Sequence, residues 1–276
     1  MKLGGFVIHG DSADTLPNCL RSLHAVCDTV VAVDSGSQDG SRDISERTGA
    51  RVLDLPWQGY GAARAAAVSA LTDVDYVFFL DSDEWLTAEG ESAIRAWKAS
   101  APDAPAYRVV RNNWVQTEGH RFLLFRDRRA RLVRRDRAVW APRMVVHESL
   151  PREGHRQTRI AVEHLYASDA GERLGKNDLY ALLWAVQAHA EGRRPKSTLL
   201  LRTAHFARKL ILQGAWFRGG WTGARLAWLA SRYHARKHQL LERVTGGELS
   251  ELVGAYAAQD YRALMREAKA RITDLA

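Results

Sequence analysis

The segment Phe78-Phe79-Leu80-Asp81-Ser82-Asp83-Glu84 decides the fold of this chain. Its apolar beginning, together with Tyr76 and Val77, is typical of a strand that is buried on both faces. Acidic residues follow directly, at the carboxyl end of the strand, where open α/β sheets bind their ligands. Asp81 and Asp83 are two positions apart, so an extended backbone would direct both carboxylates to one side. The segment therefore predicts an α/β sheet with a polar ligand site at one edge.

A regular alternation of short apolar runs and helical patterns fills the first hundred residues. It predicts strands at 5–9, 29–34, 51–55 and 76–80 and helices at 15–26, 39–48 and 62–71. This alternation implies parallel pairing with right-handed crossovers. Further strands are expected at 106–111 and 122–125, and further helices at 174–191, 199–213, 224–244 and 249–272. The predicted fold class is α/β, a mostly parallel sheet flanked by helices, with a basic helical C-terminal region.

Composition excludes several classes of protein. The chain has 276 residues, of which 46% are hydrophobic and 26% charged, and these values exclude intrinsic disorder and a disulfide-stapled mini-protein. Cys19 and Cys27 lack the spacing of a zinc site and are expected to be reduced thiols. The apolar run near the N-terminus is too short for a signal peptide, and no run of about 18 apolar residues occurs. We therefore expect a cytoplasmic protein without a membrane-spanning segment.

Charge is distributed unevenly along the chain. Residues 1–100 carry eight basic and 15 acidic side chains, a net charge of −7. Residues 193–276 carry 16 basic and six acidic side chains, a net charge of +10, and the whole chain has a net charge of +8. The acidic N-terminal part and the basic C-terminal part are therefore expected to meet different partners.

A second polar segment, Val33-Asp34-Ser35-Gly36-Ser37-Gln38-Asp39-Gly40-Ser41, also follows a predicted strand and opens a predicted helix. Asp34 would stand at the end of its strand and face the same crevice as Asp81. The small residues after it allow backbone to approach a ligand closely. The segment lacks the glycine patterns of a dinucleotide-binding site and of a P-loop. The alternative is a turn in which Asp39 or Ser41 caps the following helix.

The pair Asp81 and Asp83 suits a divalent cation. Two carboxylates that point together favour Mg2+ or Mn2+, with phosphate oxygens and water completing the coordination shell. The D-x-D pattern alone is a weak signal, and the alternative is a polar turn after a strand. Its position after the fourth strand of the series favours the metal site.

Taken together, these segments resemble the family 2 glycosyltransferases of GT-A fold. The resemblance rests on residues 34–41, 49–52 and 57–61 and on the D-x-D motif within 80–84. Residues 131–135, 146–150 and 164–166 are similar to the bacterial lipopolysaccharide inner-core glucosyltransferases. The basic, tryptophan-rich tail with Gly219, Gly220, Trp221 and Gly223 is also similar. The similarity covers residues 5–243.

The resemblance implies an inverting, metal-dependent hexosyltransferase. Its donor would be a UDP-sugar, with glucose as the expected hexose, and its acceptor a lipopolysaccharide core or another lipid-linked glycan. Glu148 matches the place of the general base, which takes the proton of the acceptor hydroxyl. The implied metal ligands are Asp83 and Asp81, and the cation offsets charge on the leaving diphosphate. The residues implied in nucleotide-sugar binding are Asp34, Ser35, Asp39, Arg64, Asp81, Ser82 and Asp83.

Other readings stay open for the residues in the middle of the chain. Glu148 could be a surface acid paired with an arginine, and His164 a structural histidine. Seven arginines lie between positions 126 and 137, and they could bind phosphate groups or form a solvated face. The residues expected to bind the acceptor or a phosphate are Arg131, Arg134, Arg135 and His147.

Three positions depart from the family pattern. Ser12 stands where the family commonly has Glu, and Ala63 and Ala65 replace polar residues on either side of Arg64. These differences leave a second hypothesis, a degenerate GT-A domain that binds nucleotide or glycolipid without turnover. A nucleotidyltransferase is a third hypothesis, which the lack of a glycine–lysine phosphate signature disfavours.

Residues 193–243 combine twelve basic residues and interleaved tryptophans with one acidic residue, Glu242. This composition suits an anionic membrane surface, where each basic residue contributes about 1 kcal/mol. The alternatives are tryptophans that pack the helices onto the core and a single-stranded nucleic-acid platform, for which no module motif is present. We predict a GT-A nucleotide-sugar-binding and catalytic domain at 1–170. A helical region at 171–276 would contact the acceptor or the inner face of the cell membrane, where the protein would be peripheral and bind no nucleic acid.

Overall fold

The computed structural model describes residues 1–117, 120–146, 150–167 and 170–275 and has a mixed α/β architecture. Its strands are β1 (Leu3–His9), β2 (Thr29–Asp34), β3 (Arg51–Asp54), β4 (Tyr76–Asp81), β5 (Glu84–Trp85), β6 (Ala106–Thr117), β7 (His120–Arg134) and β8 (Arg156–Ala167). Its helices are α1 (Leu16–Val26), α2 (Ser41–Arg47), α3 (Tyr60–Ala70), α4 (Ala88–Ala99), α5 (Ala170–Ala190), α6 (Thr198–Ala207), α7 (Ala215–Thr245), α8 (Ser250–Ala257) and α9 (Tyr261–Leu275). A 3-10 turn at Arg135–Arg137 and a π-helical turn at Arg208–Leu212 complete the described elements.

One eight-stranded sheet has the order β3-β2-β1-β4-β7-β6-β8-β5. β1 pairs in parallel with β2 and β4, and β2 pairs in parallel with β3. These four strands alternate with helices along the chain, as the sequence predicts, and the α/β fold class is confirmed. The later strands bring antiparallel pairing, of β7 with β4 and of β8 with β5.

The register of the parallel strands brings two predicted aspartates to one edge of the sheet. His9 in β1 pairs with Asp34 in β2, and Ile8 pairs with Asp81 in β4. Asp34 and Asp81 therefore end strands on either side of β1, with backbones about 10 Å apart at the usual strand spacing. This edge is the carboxyl end of the parallel strands, where the sequence places a ligand site.

Hydrophobic clusters cover both faces of the parallel strands. Phe78 and Leu80 point into one cluster, with residues of α1 and α4, and Val77 and Phe79 point into the other, with residues of α3 and Trp140. Neighbouring residues of β4 alternate between the faces because side chains alternate along a strand. Full burial of a Leu or Phe side chain contributes about 1.5–3 kcal/mol to the free energy of unfolding. Packing on both faces of β4 therefore fixes the position of its end, where the site lies.

The middle of the chain is more regular than its sequence indicates. The strands expected at 106–111 and 122–125 are parts of the much longer β6 and β7. β8 and α4 have no counterpart among the predicted elements. Long antiparallel strands with many arginines give no alternating apolar pattern, and that is why the sequence does not reveal them.

The chain divides into two compact units. The first consists of Met1–Trp114, Arg126–Pro142 and Glu148–Tyr166, and the second of Val115–Phe125, Arg143–His147 and Ala167–Ala276. In the second unit, α7 packs against both α5 and α6, and α8 packs against α9. None of the helices among the described residues has the length and apolarity needed to cross a membrane. The functional division into 1–170 and 171–276 stays a prediction.

Candidate active site

Asp34 ends β2 and holds the turn that follows it. Its Oδ1 accepts hydrogen bonds from the backbone N–H groups of Gly36 (3.2 Å) and Ser37 (2.9 Å) and from Ser37 Oγ (2.6 Å), which makes an Asx turn. Burial alone would raise the pKa of Asp34, but the hydrogen bonds from Ser37 and Gly36 and the nearby His9 ring lower it. The side chain is therefore a buried carboxylate whose second oxygen, Oδ2, the turn does not use.

Short polar side chains join the loops that follow β1, β2 and β4. Ser12 donates its backbone N–H to Ser41 Oγ (2.8 Å), and Ser82 Oγ donates to Ser12 Oγ (3.0 Å). Asp39 accepts from the Ser41 hydroxyl and from the backbone N–H groups of Ser41 and Ala13, and these bonds lower its pKa. The three loops thus form one hydrogen-bonded rim at the carboxyl end of the sheet.

Two buried arginines hold the carboxylate of Asp81. Arg64 Nη2 donates to Oδ1 (3.0 Å), and Arg131 Nη2 donates to Oδ2 (2.5 Å). Both guanidinium groups lie over the ring of Phe79, 4.7 and 5.0 Å from its centroid. Burial alone would raise the pKa of Asp81, but Arg131 and Arg64 lower it well below its usual range. Asp81 is therefore an ionised carboxylate with both oxygens already engaged.

Glu84 supplies the second negative charge that Arg131 needs. Its side chain is fully buried, and its Oε1 accepts from Arg131 Nη2 (2.5 Å) and Arg111 Nη1 (3.2 Å). Its Oε2 accepts from the backbone N–H of Asp81 (3.2 Å). Burial alone would lower the pKa of Arg131, but Asp81 and Glu84 raise it, so the guanidinium stays charged. Buried charges require such partners.

Asp83 has a different environment from Asp81. A turn separates the two, so they do not share one extended strand, and the expectation from their spacing does not apply. The two side chains are about equally exposed, 39% for Asp81 and 42% for Asp83, but Asp83 Oδ2 lies 3.5 Å from His164 Nε2 and not against an arginine. The backbone N–H of Leu165, in β8, donates to the carbonyl oxygen of Asp83 (3.0 Å). This bond, with the pairing of Glu84 and His164, holds the D-x-D turn against β8.

A chain of hydrogen bonds orients His164. The Asn113 amide nitrogen donates to Asp127 Oδ1 (3.3 Å) and to the carbonyl of Arg111 (3.2 Å), which turns the amide oxygen toward His164 Nδ1 at 2.7 Å. An amide oxygen only accepts, so Nδ1 of the ring is the donor of this bond and Nε2 is the nitrogen that faces Asp83. Arg111 fixes Asp127 through two hydrogen bonds of 3.0 Å.

The donor set of Asp83 and His164 fits a divalent cation. The carboxylate oxygen Oδ2 of Asp83 and Nε2 of His164 face each other at 3.5 Å, and a divalent cation bound by both would take the place of the ring proton on Nε2. A histidine ligand whose other nitrogen is hydrogen-bonded is the usual arrangement around protein-bound metals. The described residues include no cluster of three or more His, Cys, Asp or Glu side chains able to hold a metal. Ligand oxygens would therefore complete the shell.

Not every predicted site residue joins this cluster. Arg131 is buried against Asp81 and Glu84. It therefore fixes the position of these carboxylates and does not present a free guanidinium to a phosphate. Arg134 pairs across the sheet with Tyr76, the first residue of β4, at the opposite end of that strand from Asp81. About 17 Å of strand separates these two ends. Arg135, the next residue, donates to the carbonyl of Leu71 (2.5 Å).

Two predicted residues lie outside the described residues. They are His147 and Glu148, the implied acceptor contact and general base. Ser35 lies on the rim, where its backbone N–H donates to the carbonyl of His9 (2.9 Å). The three departures from the family pattern also have places in the first unit: Ser12 ties the rim loops together, Ala63 is buried in the core, and Ala65 is partly buried in α3.

The sequence patterns assign no site roles to Glu84, Arg111, Asn113 and Asp127, and they favour a structural role for His164. All five surround the D-x-D turn. Glu84 was visible as the acid that directly follows the D-x-D motif. The others belong to β6, β7 and β8, whose pairing brings them to the end of β4 from distant parts of the chain.

Comparisons with known proteins agree on the protein class. The sequence model described as glycosyl transferase family 2 matches residues 7–150. The lipopolysaccharide core biosynthesis glycosyltransferase LpsC of Rhizobium meliloti is 27% identical over 259 residues, which cover 88% of this chain and 95% of LpsC. An uncharacterized glycosyltransferase of Rickettsia felis is 32% identical over 93 residues, 34% of this chain and 32% of that protein.

Among solved structures, the chain is similar to glucosyl-3-phosphoglycerate synthase from Mycobacterium tuberculosis in complex with Mn2+, UDP and glucosyl-3-phosphoglycerate. It is 15% identical, covers 71% of this chain and 81% of its own, and has a TM-score of 0.46.

Proposed function

This chain belongs to glycosyl transferase family 2, and we propose that it transfers a hexose, with glucose as the first candidate, from a UDP-sugar to a lipopolysaccharide core or another lipid-linked glycan. The observation that carries the proposal is the arrangement at the end of β4, where Asp83 faces His164 beside a clamped Asp81. The name of LpsC, which is similar over nearly its whole length, supports the acceptor class. We also propose a peripheral position on the inner face of the cell membrane.

We assign donor binding to the rim residues. The ionised Asp34 would accept from a nucleoside N–H through Oδ2, because its Oδ1 already holds the turn. Asp81, fixed by Arg64 and Arg131, would accept from a ribose hydroxyl along a second lone pair of either oxygen. Ser35, Asp39 and Ser82 complete the proposed rim. A site whose carboxylates are held before the donor arrives loses little entropy on binding.

The metal ligands of the proposal are Asp83 and His164 rather than Asp83 and Asp81. Both oxygens of Asp81 face guanidinium groups, whereas Asp83 Oδ2 faces Nε2 of His164, a nitrogen that binds metal when the ring is neutral. Mg2+ or Mn2+ held there would offset the charge of the diphosphate leaving group. The Arg111–Asp127–Asn113 chain would keep Nε2 of His164 directed at the ion.

The family resemblance assigns the general base to Glu148 and an acceptor contact to His147. The carboxylate of Glu148 would take the proton of the acceptor hydroxyl as that oxygen attacks the anomeric carbon from the face opposite the diphosphate. The bond to the diphosphate oxygen breaks, the leaving group keeps the electron pair, and the configuration at the anomeric carbon is inverted.

A melting-temperature panel tests the donor and cation together. The folded wild type should melt at a higher temperature with UDP and Mn2+ together than with either alone, since ligands that bind only the folded state stabilise it. Asp83→Asn should lose the Mn2+-dependent part of the shift and lower kcat by about a hundredfold or more. The matched control is Asp73→Asn, which changes an acid that is 85% exposed in the same unit and should keep both properties.

Turnover separates the enzyme from a module that only binds. The proposal predicts product formation from a UDP-hexose and a core acceptor, lost in Glu148→Gln with nucleotide binding retained. Saturable binding of UDP without product in the folded wild type, or an Mn2+ response that Asp83→Asn leaves intact, would contradict it.

A further inference from the structure

The turn between α6 and α7 exposes large apolar side chains. Leu212, Phe217 and Trp221 are each more than 80% exposed and Ile211 is more than 60% exposed, as are Leu199 and Leu200 at the start of α6. Trp216 packs edge-on against Trp221, with ring centroids 5.3 Å apart. We call residues 211–221 the α6–α7 tip. A group of large exposed apolar side chains on one short segment is typical of a contact with a partner or a membrane.

Glycines build this tip into a defined shape. Gly214 adopts a left-handed conformation (φ +67°) before α7 begins, and Gly220 (φ +49°, ψ −131°) kinks the helix between the exposed aromatic residues. A Cβ on Gly223 would lie 1.9 Å from the carbonyl oxygen of Ala215, so the backbone segments on either side of the kink are in direct contact. The exposure of Phe217 and Trp221 is therefore a feature of a tightly packed turn.

The charge around the tip has one sign. The basic residues between 199 and 228 are Arg202, Arg208, Lys209, Arg218 and Arg225, and no acidic residue occurs from 192 to 241. Arg208, Arg218 and Arg225 are exposed. Basic side chains beside exposed tryptophan, phenylalanine and leucine are typical of segments that lie in the headgroup region of an anionic bilayer.

We propose that the α6–α7 tip inserts Leu212, Phe217 and Trp221 into the headgroup region of a bilayer that contains anionic lipids, with Arg208, Arg218 and Arg225 contacting the headgroups. The inference deepens the proposed function and rests on it for the choice of membrane, because a lipid-linked acceptor would be met at such a surface. Aromatic side chains with a polar edge favour the boundary between headgroups and acyl chains.

The charge and the side-chain types argue against two other occupants. A symmetric contact of residues 199–228 between two copies would bring together five basic side chains from each copy without an acid, and like charges oppose association. A single nucleic-acid strand binds by stacking on aromatic rings, for which Leu199, Leu200 and Leu212 offer no surface. A lipid bilayer satisfies both the positive charge and the aliphatic side chains.

Vesicle flotation of the full chain tests the proposal. Wild type should bind phosphatidylcholine vesicles that contain about 30% phosphatidylglycerol at least tenfold more strongly than pure phosphatidylcholine vesicles, and less strongly at high salt. Phe217→Ser with Trp221→Ser should reduce binding to the anionic vesicles about tenfold. Brominated acyl chains should quench part of the wild-type tryptophan fluorescence and quench less in this double variant.

Matched controls separate the tip from general effects. Val139→Ser alters an exposed apolar residue of the first unit and should leave binding unchanged. Arg208→Gln with Arg225→Gln should weaken binding more than Arg47→Gln with Arg152→Gln, which removes the same charge from exposed positions elsewhere. Circular dichroism establishes that each variant is folded.

Several outcomes would overturn the proposal. They are equal binding to neutral and anionic vesicles, unchanged binding by the folded Phe217→Ser, Trp221→Ser variant, and a wild-type dimer that this variant converts to monomer without loss of vesicle binding. Binding of a single-stranded oligonucleotide without binding of vesicles would overturn it too. Wild type that binds vesicles but turns over no nucleotide sugar would refute the proposed function alone, and wild type that turns over donors without binding vesicles would refute this inference alone.

Discussion

The surroundings of Asp81 and the α6–α7 tip differ in which side chains are buried and which are exposed to solvent. Around Asp81, whose own side chain is partly exposed, the arginines and Glu84 are largely or fully buried and lie within 2.5–3.2 Å of opposite charges. At the tip, basic residues occur in a stretch of sequence without acids, and the large apolar side chains are exposed. The first arrangement satisfies its charges internally, whereas the second presents both charge and apolar surface outward.

This difference indicates that the first region fixes the geometry of a site and that the second binds another surface. Buried ion pairs contribute little net stability, because desolvation opposes their attraction, but they fix the positions of the groups they contain. Such rigidity suits a site that must hold carboxylates in place for a nucleotide. Exposed apolar surface contributes nothing to the folded chain alone and gains free energy only when a partner covers it. Mutations should therefore separate stability from binding in the two regions.

The largest expected change in stability comes from Arg131→Met. This variant leaves the fully buried Glu84 and the carboxylate of Asp81 without their shared guanidinium partner. Breaking a buried ion pair costs about 3–5 kcal/mol of the free energy of unfolding, which urea denaturation measures. The control is Arg134→Met on the same strand, which breaks a more exposed pair with Asp136 and should cost less than about 1 kcal/mol. Similar losses in both variants would show that burial does not make the ion pairs around Asp81 more important for stability than an exposed pair.

A smaller effect with a defined pH dependence is expected from Asp127→Asn. Burial alone would raise the pKa of Asp127, but the hydrogen bonds from Arg111, with Arg129 and Asn113, lower it to about 2. The unfolded value is about 3.9. The folded pKa is depressed, so the contribution is present above pH 4 and lost as pH falls from about 4 to 2. Asp127→Asn should lower the free energy of unfolding by about 2 kcal/mol at pH 7 and by much less at pH 2.

Denaturation curves at several pH values measure this dependence. Asp73→Asn, at an exposed acid, should change the free energy of unfolding by less than about 0.5 kcal/mol at neutral pH. A deficit of Asp127→Asn that stays constant between pH 7 and pH 2 would mean that the Arg111 contact does not hold the carboxylate ionised.

The places of Asp34 and Asp81 could be predicted from the sequence. Alternating strands and helices force parallel pairing, and parallel strands end at the same edge, so residues that follow β2 and β4 must meet there. The structure confirms this arrangement through the pairing of both strands with β1. Local patterns were sufficient because each strand is short, apolar and followed at once by its polar residue.

The partners of those aspartates could not be predicted in the same way. His164, Asn113 and Asp127 come from three strands of the later half of the sheet, and β8 was not predicted at all. Their positions depend on antiparallel register, which no local pattern in an arginine-rich sequence specifies. For the same reason the arginine run did not reveal that Arg131 supports Asp81 while Arg134 lies at the other end of β4.

The C-terminal glycines show a related limit. They predicted a break in the chain before a helix that resumes at 224. The structure has two such interruptions, at the left-handed Gly214 and at Gly220, whose backbone angles are not helical, with a short helical stretch from Ala215 between them. A glycine signals that unusual backbone angles are tolerated, but not which of several glycines adopts them. Close packing also restricts this segment, because a Cβ on Gly219 would come within 2.4 Å of the ring of Phe122.

The smallest change in the free energy of unfolding is expected from substitutions at the α6–α7 tip. Phe217→Ser with Trp221→Ser replaces two side chains that are more than 80% exposed, so folding buries little of their surface, and the main loss is the edge-on contact of Trp221 with Trp216. The free energy of unfolding should fall by less than about 1 kcal/mol. In contrast, Phe78→Ala in the core should cost about 3–5 kcal/mol. Urea denaturation of both variants without lipid measures the difference. If the free energy of unfolding fell as much for the tip variant as for Phe78→Ala, the aromatic residues of the tip would be part of the packing between helices and not a surface for binding.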